Sequence, residues 1–337
     1  MPKIVLFGAT GYTGRLIAET LVEQGAAPLL AARDAGALRV LSAELGGVET
    51  AVADSGDPDS VRALLGKGDV LISTVGPFLR FGDAALAAAI DAGAHYLDST
   101  GEGPFIRKVF DHDEPARAAG VGLLTAFGYD YVPGNLAAGL ALEQAPEAVR
   151  ADIGYFMSHA GTSGGTQASV VGMMFERAFA LRGGKLTEQN MATVRGFDVE
   201  GRRHTAVSIP GSEHLALPRA HPKLRDIDVY LGVPGAGALA QPMRFATALT
   251  GAIARVDPLK RLAVGGLNKI VKGSTGGPSP QALSRTRSWV VADASDDSGR
   301  VLASQTLTGG DPYSFTAAIL AWGARTALAG GLRATGA

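Results

Sequence analysis

Three glycines at three-residue spacing, Gly8, Gly11 and Gly14, follow directly on the apolar run Ile4, Val5, Leu6 and Phe7. A tight turn at the first, close backbone approach at the second and close helix–strand contact at the third are what a strand-to-helix turn needs to receive a pyrophosphate. Thr10, Tyr12 and Thr13 lie among them, and residues 12–24 form an amphipathic stretch whose free N–H groups and positive dipole end can meet phosphate oxygens. A second apolar run at 28–32 closes a βαβ unit of the length that dinucleotide sites use.

The tip of that second run selects the dinucleotide. It reads Ala31, Ala32, Arg33, Asp34. Arg33 offers a planar fork that stacks on adenine and pairs with a ribose 2′-phosphate, while Asp34 caps the helix starting near Ala35, which together indicate NADP(H). The other reading makes Arg33 a solvated strand-end residue and Asp34 the ribose ligand of an NAD site. Asp54, after the third strand, and Thr74, Val75, Gly76 and Pro77, after the fourth, complete the candidate cofactor set, the last four beneath the nicotinamide half. Phe78 and Phe81 beside them read as core packing.

The candidate catalytic groups fall later. Tyr129, Asp130 and Tyr131 follow the sixth strand at the expected domain junction, where two phenols and a carboxylate can act as acids or orienting groups, or simply order a turn. His159 ends the first strand of the second half beside a glycine-rich turn and is the one histidine of six with a candidate role. No histidine pair has metal-ligand spacing. Residues 161–165 satisfy the G-x-S-x-G pattern of a hydrolase elbow, but the parallel sheet such an elbow needs is already committed to the dinucleotide half. A helix start presenting Ser163 and Thr166 to a cleft is the better fit. None of the seven tyrosines is followed four residues later by lysine, so the Tyr-x-x-x-Lys acid of many short-chain dehydrogenases is missing.

The elements that must position these groups follow from periodicity. Apolar runs at 4–7, 28–32, 50–53, 70–73, 95–97 and 121–126 alternate with helical stretches, the pattern of a doubly wound parallel sheet. After about residue 135 the texture changes to a helix at 136–144, a strand at 151–157, a helix at about 166–181, and strands at 197–199, 206–209 and 227–231. An apolar helical segment at 233–272 reads as a substrate wall or as packing against the sheet or a second copy of the chain. A hairpin pairs 288–292 with 301–307, and Asp311-Pro312 opens a last helix. The expected architecture is α/β: a Rossmann-type domain at 1–134, an α+β domain with a mixed sheet at 135–311, and a C-terminal helix at 312–330 returning to the first domain.

Composition closes several other routes. The 337 residues suit two domains with real cores. A formal net charge of −1 without a basic block gives no footprint for nucleic acid, and no charge-free apolar run reaches the ~20 residues of a membrane span. The chain has no cysteine, so disulfides, thiolate metal sites and thiol nucleophiles are absent. With Met1-Pro2-Lys3 leading straight into the first strand, a cytoplasmic protein is expected.

Taken together, Gly8 through Arg15, Ala32-Arg33-Asp34, Ser73 through Phe78, Ala94 through Glu102, Gly128 through Pro133, Ser163 through Thr166 and Gly309 through Thr316 resemble the saccharopine dehydrogenase-like oxidoreductases, and within them the trans-acting enoyl reductase branch. The resemblance runs to about residue 175, is absent from 183–280 and reappears at 309–316. It implies an NADP-binding Rossmann domain, an α+β second domain with a returning helix, and reduction of a carbon–carbon double bond in an acyl or polyketide thioester, free or carrier-bound. The cleft loops hold no arginine cluster of the kind a polycarboxylate such as saccharopine requires. Imine or ketone reduction and a noncatalytic NADPH sensor are the rival readings. A homodimer is the expected assembly of the apolar second half.

Overall fold

The computed structural model describes residues 1–158, 161–164, 166–167, 178–189, 193–232 and 276–337. Its first half is a parallel sheet in the order β3-β2-β1-β4-β5-β6, built from β1 (Ile4–Phe7), β2 (Leu29–Ala32), β3 (Thr50–Val52), β4 (Val70–Ser73), β5 (His95–Asp98) and β6 (Leu123–Leu124). The chain order reverses between β1 and β4, and ligands of such sheets bind in the crevice beyond the strand ends at that point. β1 is apolar throughout because both of its faces are covered. Val5 and Phe7 pack with Phe78, Ala85, Leu86 and Ala89 of α4 (Phe78–Ala92). Ile4 and Leu6 pack with Ile17 and Leu21 of α1 (Tyr12–Glu23) and with Leu320 and Ala324 of the C-terminal helix, α10 (Pro312–Leu328). The last helix therefore completes the core of the first sheet. Asp311 caps it, accepting from the Ser314 N–H at 2.8 Å.

Between these lie α2 (Ala35–Glu44), α3 (Pro58–Arg62), α5 (Gly103–Phe110) and α6 (Asp113–Ala119). β6 is shorter than the expected 121–126, since Ala126 leaves the ladder to bond Asp98 and the stretch around Gly122 pairs instead with the tail at Gly336. α7 (Val132–Gln144) starts four residues earlier than expected because Pro133 occupies its first turn, where a missing N–H costs nothing.

The second half is a mixed sheet ordered β10-β11-β12-β7-β13-β14, from β7 (Arg150–Ser158), β10 (Val194–Val199), β11 (Arg202–Ile209), β12 (Asp226–Gly232), β13 (Arg287–Ser295) and β14 (Val301–Gly309). Among the described strands of this sheet only the β12–β7 pairing is parallel. One face packs Ile153, Tyr155, Val229 and Val290 against Ala137, Ala138 and Leu142 of α7. On the other face Asp228, Asp152 and Asp293 stand side by side on neighbouring strands. Arg150 bridges Asp152 and Asp228, Arg182 holds Asp228, and Arg195 bridges Asp152 and Asp293, so three guanidiniums balance three carboxylates.

The helix expected over 166–181 is corrected at its C-terminal end. Residues 178–182 are a strand, β8 (Ala178–Arg182), paired with β9 (Lys185–Gln189). Gly183 and Gly184, both at positive φ (56° and 77°), make the two-residue hairpin turn that this pairing requires. Residues 164 and 166–167 are helical, and 168–177 lie outside the described residues, as does the apolar segment at 233–272. The remaining helices among the described residues are α8 (Glu213–Ala220) and α9 (Pro280–Arg285). No described helix is long and apolar enough to cross a membrane.

Candidate functional site

The glycine-rich turn lies at the β1–β4 reversal. Gly8 adopts φ +93° and donates its N–H to the Ala31 carbonyl at 2.8 Å. A Cβ at Gly14 would overlap the Gly8 carbonyl oxygen, so only glycine lets α1 start this close to the strand. Gly11 is the N-cap of α1 and brings no side-chain cap. Thr10, Tyr12 and Thr13 surround this helix end and are part-exposed. The Thr74 hydroxyl reaches across from β4 to the Gly8 carbonyl at 3.1 Å, and the Val75 side chain lies against the same glycine, which joins the two loops flanking the crevice.

A second helix end faces the same crevice and is already filled. Glu102 accepts from the Phe78 and Leu79 N–H groups at 2.8 and 2.9 Å, placing a fully buried carboxylate on the first turn of α4 just after Gly76 and Pro77. Its own N–H is held by the Thr100 hydroxyl at 3.1 Å. The turn also depends on Asp98, which accepts from Thr100, Ala126 and the Thr125 hydroxyl at 3.0, 2.8 and 2.9 Å. Burial pushes the Asp98 carboxyl up to about 6 in spite of these donors. An external anion therefore has α1, rather than α4, as its partner.

At the β2 tip Asp34 accepts from Gly36 and Ala37 at 2.8 and 3.0 Å and is the cap of α2, which holds its carboxyl below the ordinary value. Both cap bonds go to one oxygen of a side chain thereby turned toward α2. Arg33 is exposed. Asp54 is drawn into its own turn, accepting from Gly56 at 2.8 Å. The glycine cradle, the uncapped α1 and the cation at the β2 tip fit a 2′-phosphorylated dinucleotide.

The junction residues divide into tethers and an open group. Tyr131 is buried and its hydroxyl lies 2.9 Å from the Pro210 carbonyl and 3.3 Å from that of Gly101, so its proton is already engaged. Tyr129 is buried, edge-on to Tyr155 and Phe315, and its hydroxyl has no hydrogen-bond partner among the described residues. Burial raises it to about 12; the Ser288 hydroxyl nearby eases that rise only slightly, being bonded to the Gly310 carbonyl at 2.8 Å. Asp130 differs from both: its side chain is exposed, although protein atoms crowd around its carboxyl. The crowding pushes its carboxyl up toward about 6, and its open surface tempers the effect. His159 lies outside the described residues.

Beneath this turn sits a pair that no sequence spacing signals. The Tyr155 hydroxyl donates to Glu213 Oε1 at 2.6 Å and accepts from the Gly134 N–H at 2.9 Å. Glu213 is fully buried, and its other oxygen has no partner among the described residues. Burial foremost, with the charge of Asp130 adding, raises its carboxyl to about 8. Asn135 fastens the same turn, donating to the Tyr131 carbonyl and the Ser212 hydroxyl, both at 2.9 Å. His214 next to Glu213 is buried and lowered to about 4. Among the described residues no acidic or histidine cluster can hold a metal ion.

The strand order, the glycine turn and the free α1 terminus define a nucleotide-binding Rossmann domain joined to a mixed-sheet domain. Residues 4–122 match the saccharopine dehydrogenase NADP binding domain. A 140-residue stretch is 40% identical to a trans-acting enoyl reductase of Mycobacterium leprae (strain TN), covering 40% of this chain and 34% of that protein. A trans-acting enoyl reductase of Mycobacterium tuberculosis (strain ATCC 25618 / H37Rv) is 36% identical over 140 residues, again 40% of this chain and 34% of the relative. The match thus spans about a third of these relatives' length. The fold extends further: apo saccharopine dehydrogenase (L-Glu forming) from Saccharomyces cerevisiae superposes with a TM-score of 0.59 over 99% of this chain and 92% of that one, at 14% identity.

Proposed function

We propose that this protein is an NADPH-dependent reductase that saturates a carbon–carbon double bond of an acyl or polyketide-type thioester, free or carrier-bound. The observation that carries the reading is the pairing of an unfilled α1 terminus with a crowded, solvent-facing Asp130 at the domain junction. The names of the relatives supply the substrate class. Domains at 1–134 and 135–311 with a returning helix at 312–330, a cytoplasmic location and a second copy of the chain as partner belong to the same reading.

In this reading the first turn of α1, with Gly8, Thr10, Gly11, Tyr12, Thr13 and Gly14, holds the pyrophosphate, and Arg33 takes the 2′-phosphate. Asp54 lies toward the adenosine half. Thr74, Val75, Gly76 and Pro77 underlie the nicotinamide, held in place by Glu102. When bound, NADPH supplies a hydride to the β carbon of the enoyl group. The electron pair of the double bond moves toward the thioester oxygen, and the α carbon then takes a proton. Asp130, raised toward neutrality and open to the cleft, is the group placed to deliver that proton and to regain one from solvent. Tyr131 acts as a positioning residue, its hydroxyl being tethered to backbone carbonyls. Tyr129, edge-on to Tyr155 and Phe315, anchors the backbone that carries Asp130.

The test is NADPH oxidation with a crotonyl thioester, alongside a 2-oxo acid with an amine and a simple ketone. Consumption of NADPH with formation of the saturated thioester is the expected result. Turnover of only the keto acid–amine pair or the ketone would replace the enoyl assignment. Tight NADPH binding without oxidation by any of the three would favour a sensor.

A further inference from the structure

One side chain of the glycine-rich turn leaves the first domain altogether. Tyr12 is the first residue of α1, and its hydroxyl donates to the Pro278 carbonyl at 2.7 Å. Its ring meets that of Tyr313 edge-on, 5.1 Å between centroids. A Cβ on Gly277 would stand 2.6 Å from the Tyr12 ring, so the backbone at 276–278 lies directly on it. The Tyr313 hydroxyl in turn accepts from the Ser163 N–H at 2.7 Å and lies 3.1 Å from the Thr166 hydroxyl. Thr166 and Ser163 share a hydroxyl contact of 3.0 Å, and the Gly164 N–H donates to the Gly276 carbonyl at 3.1 Å. Two segments of the second half, residues 161–164 with 166–167 and residues 276–278, thus converge on one residue of the cofactor turn. Between them lies an open surface depression of about 320 Å³ whose lining includes Thr162, Gln167 and Pro278 and, among the described residues, carries no charged side chain.

We propose that Tyr12 is a positioning residue that couples dinucleotide binding to the seating of these two segments. The inference rests on the cofactor reading of the glycine-rich turn. A pyrophosphate on the first turn of α1 constrains the backbone from which Tyr12 projects, and so favours the arrangement in which its hydroxyl reaches Pro278 and its ring reaches Tyr313. Thermodynamic linkage makes the effect mutual, so that losing the joint weakens cofactor binding by the same factor that the cofactor strengthens the joint.

The test measures amide hydrogen exchange at 161–167 and 276–278, with and without saturating NADPH, in the wild type, Tyr12→Phe and Tyr313→Phe. Both variants keep the rings and remove one hydroxyl each. In the wild type NADPH is expected to slow exchange at Ser163 and Gly164. In Tyr12→Phe that NADPH-dependent slowing is lost and NADPH binds about three- to tenfold more weakly, the range one neutral hydrogen bond supplies. Tyr313→Phe loses the slowing at Ser163. A merely structural role would raise exchange equally with and without NADPH, and that result overturns the coupling. So does a wild type whose exchange at these amides ignores bound NADPH. Absence of NADPH binding by the wild type, read in the accompanying titration, is the separate failure of the cofactor reading and removes the coupling with it.

Discussion

Glu213→Gln tests a buried carboxyl held far from its ordinary value. The carboxyl is fully buried, receives the Tyr155 hydroxyl at 2.6 Å and is raised from the ordinary 4.5 to about 8. Because the folded value lies above the unfolded one, the stability linked to this group is complete below about pH 4.5 and is lost as pH rises through about 8. At ~1.4 kcal/mol per pKa unit, the wild type gives up ~5 kcal/mol over the whole range and ~3 kcal/mol between about pH 5.5 and about pH 8.5. Gln cannot ionise. It can still accept from Tyr155, but its amide N–H₂ replaces an oxygen that has no partner, a cost of ~1–3 kcal/mol that does not vary with pH. In urea unfolding the variant should therefore be the less stable protein at about pH 5.5 and should gain ~3 kcal/mol on the wild type by about pH 8.5. Stability curves that stay parallel across this interval would refute the reasoning, since they would mean that Glu213 enters the folded core already ionised and compensated.

Two further outcomes follow from the cofactor crevice. Arg33→Ala should reduce a preference for NADPH over NADH by about tenfold or more, ~1.4 kcal/mol, in paired fluorescence titrations, and an unchanged ratio would return the 2′-phosphate to another cation. Glu102→Ala leaves the Phe78 and Leu79 N–H groups at the head of α4 without their carboxylate. One buried and one part-buried donor at ~1–3 kcal/mol each predict a loss of ~2–6 kcal/mol in urea unfolding, whereas a loss below ~0.5 kcal/mol would show that water replaces the carboxylate without penalty.

Local chemistry was legible in the residues alone. The glycine spacing announced the turn after β1, Asp34 announced the cap of α2, and continuous apolar runs announced strands covered on both faces, because each depends on neighbours a few residues away. The same reasoning failed at 178–182, where small apolar residues suit either a helix or a strand and the Gly183-Gly184 turn was the overlooked signal. At the junction, spacing named Tyr129, Asp130 and Tyr131 as a group, and only the fold shows that both tyrosines are buried while Asp130 is exposed, because burial depends on which elements pack over the turn.

What the sequence by itself determined is therefore the class of fold and the glycine-rich turn after β1, both carried by short-range periodicity and backbone requirements. Tertiary structure alone decided how the charges and hydroxyls are spent. Glu102 fills the end of α4 from another loop, Tyr155 meets Glu213 across 58 residues of chain, and Tyr12 meets Pro278 across 266. No spacing rule reaches that far, because these partners are selected by which elements pack together and by the energetic cost of leaving a buried donor or carboxyl without a neighbour.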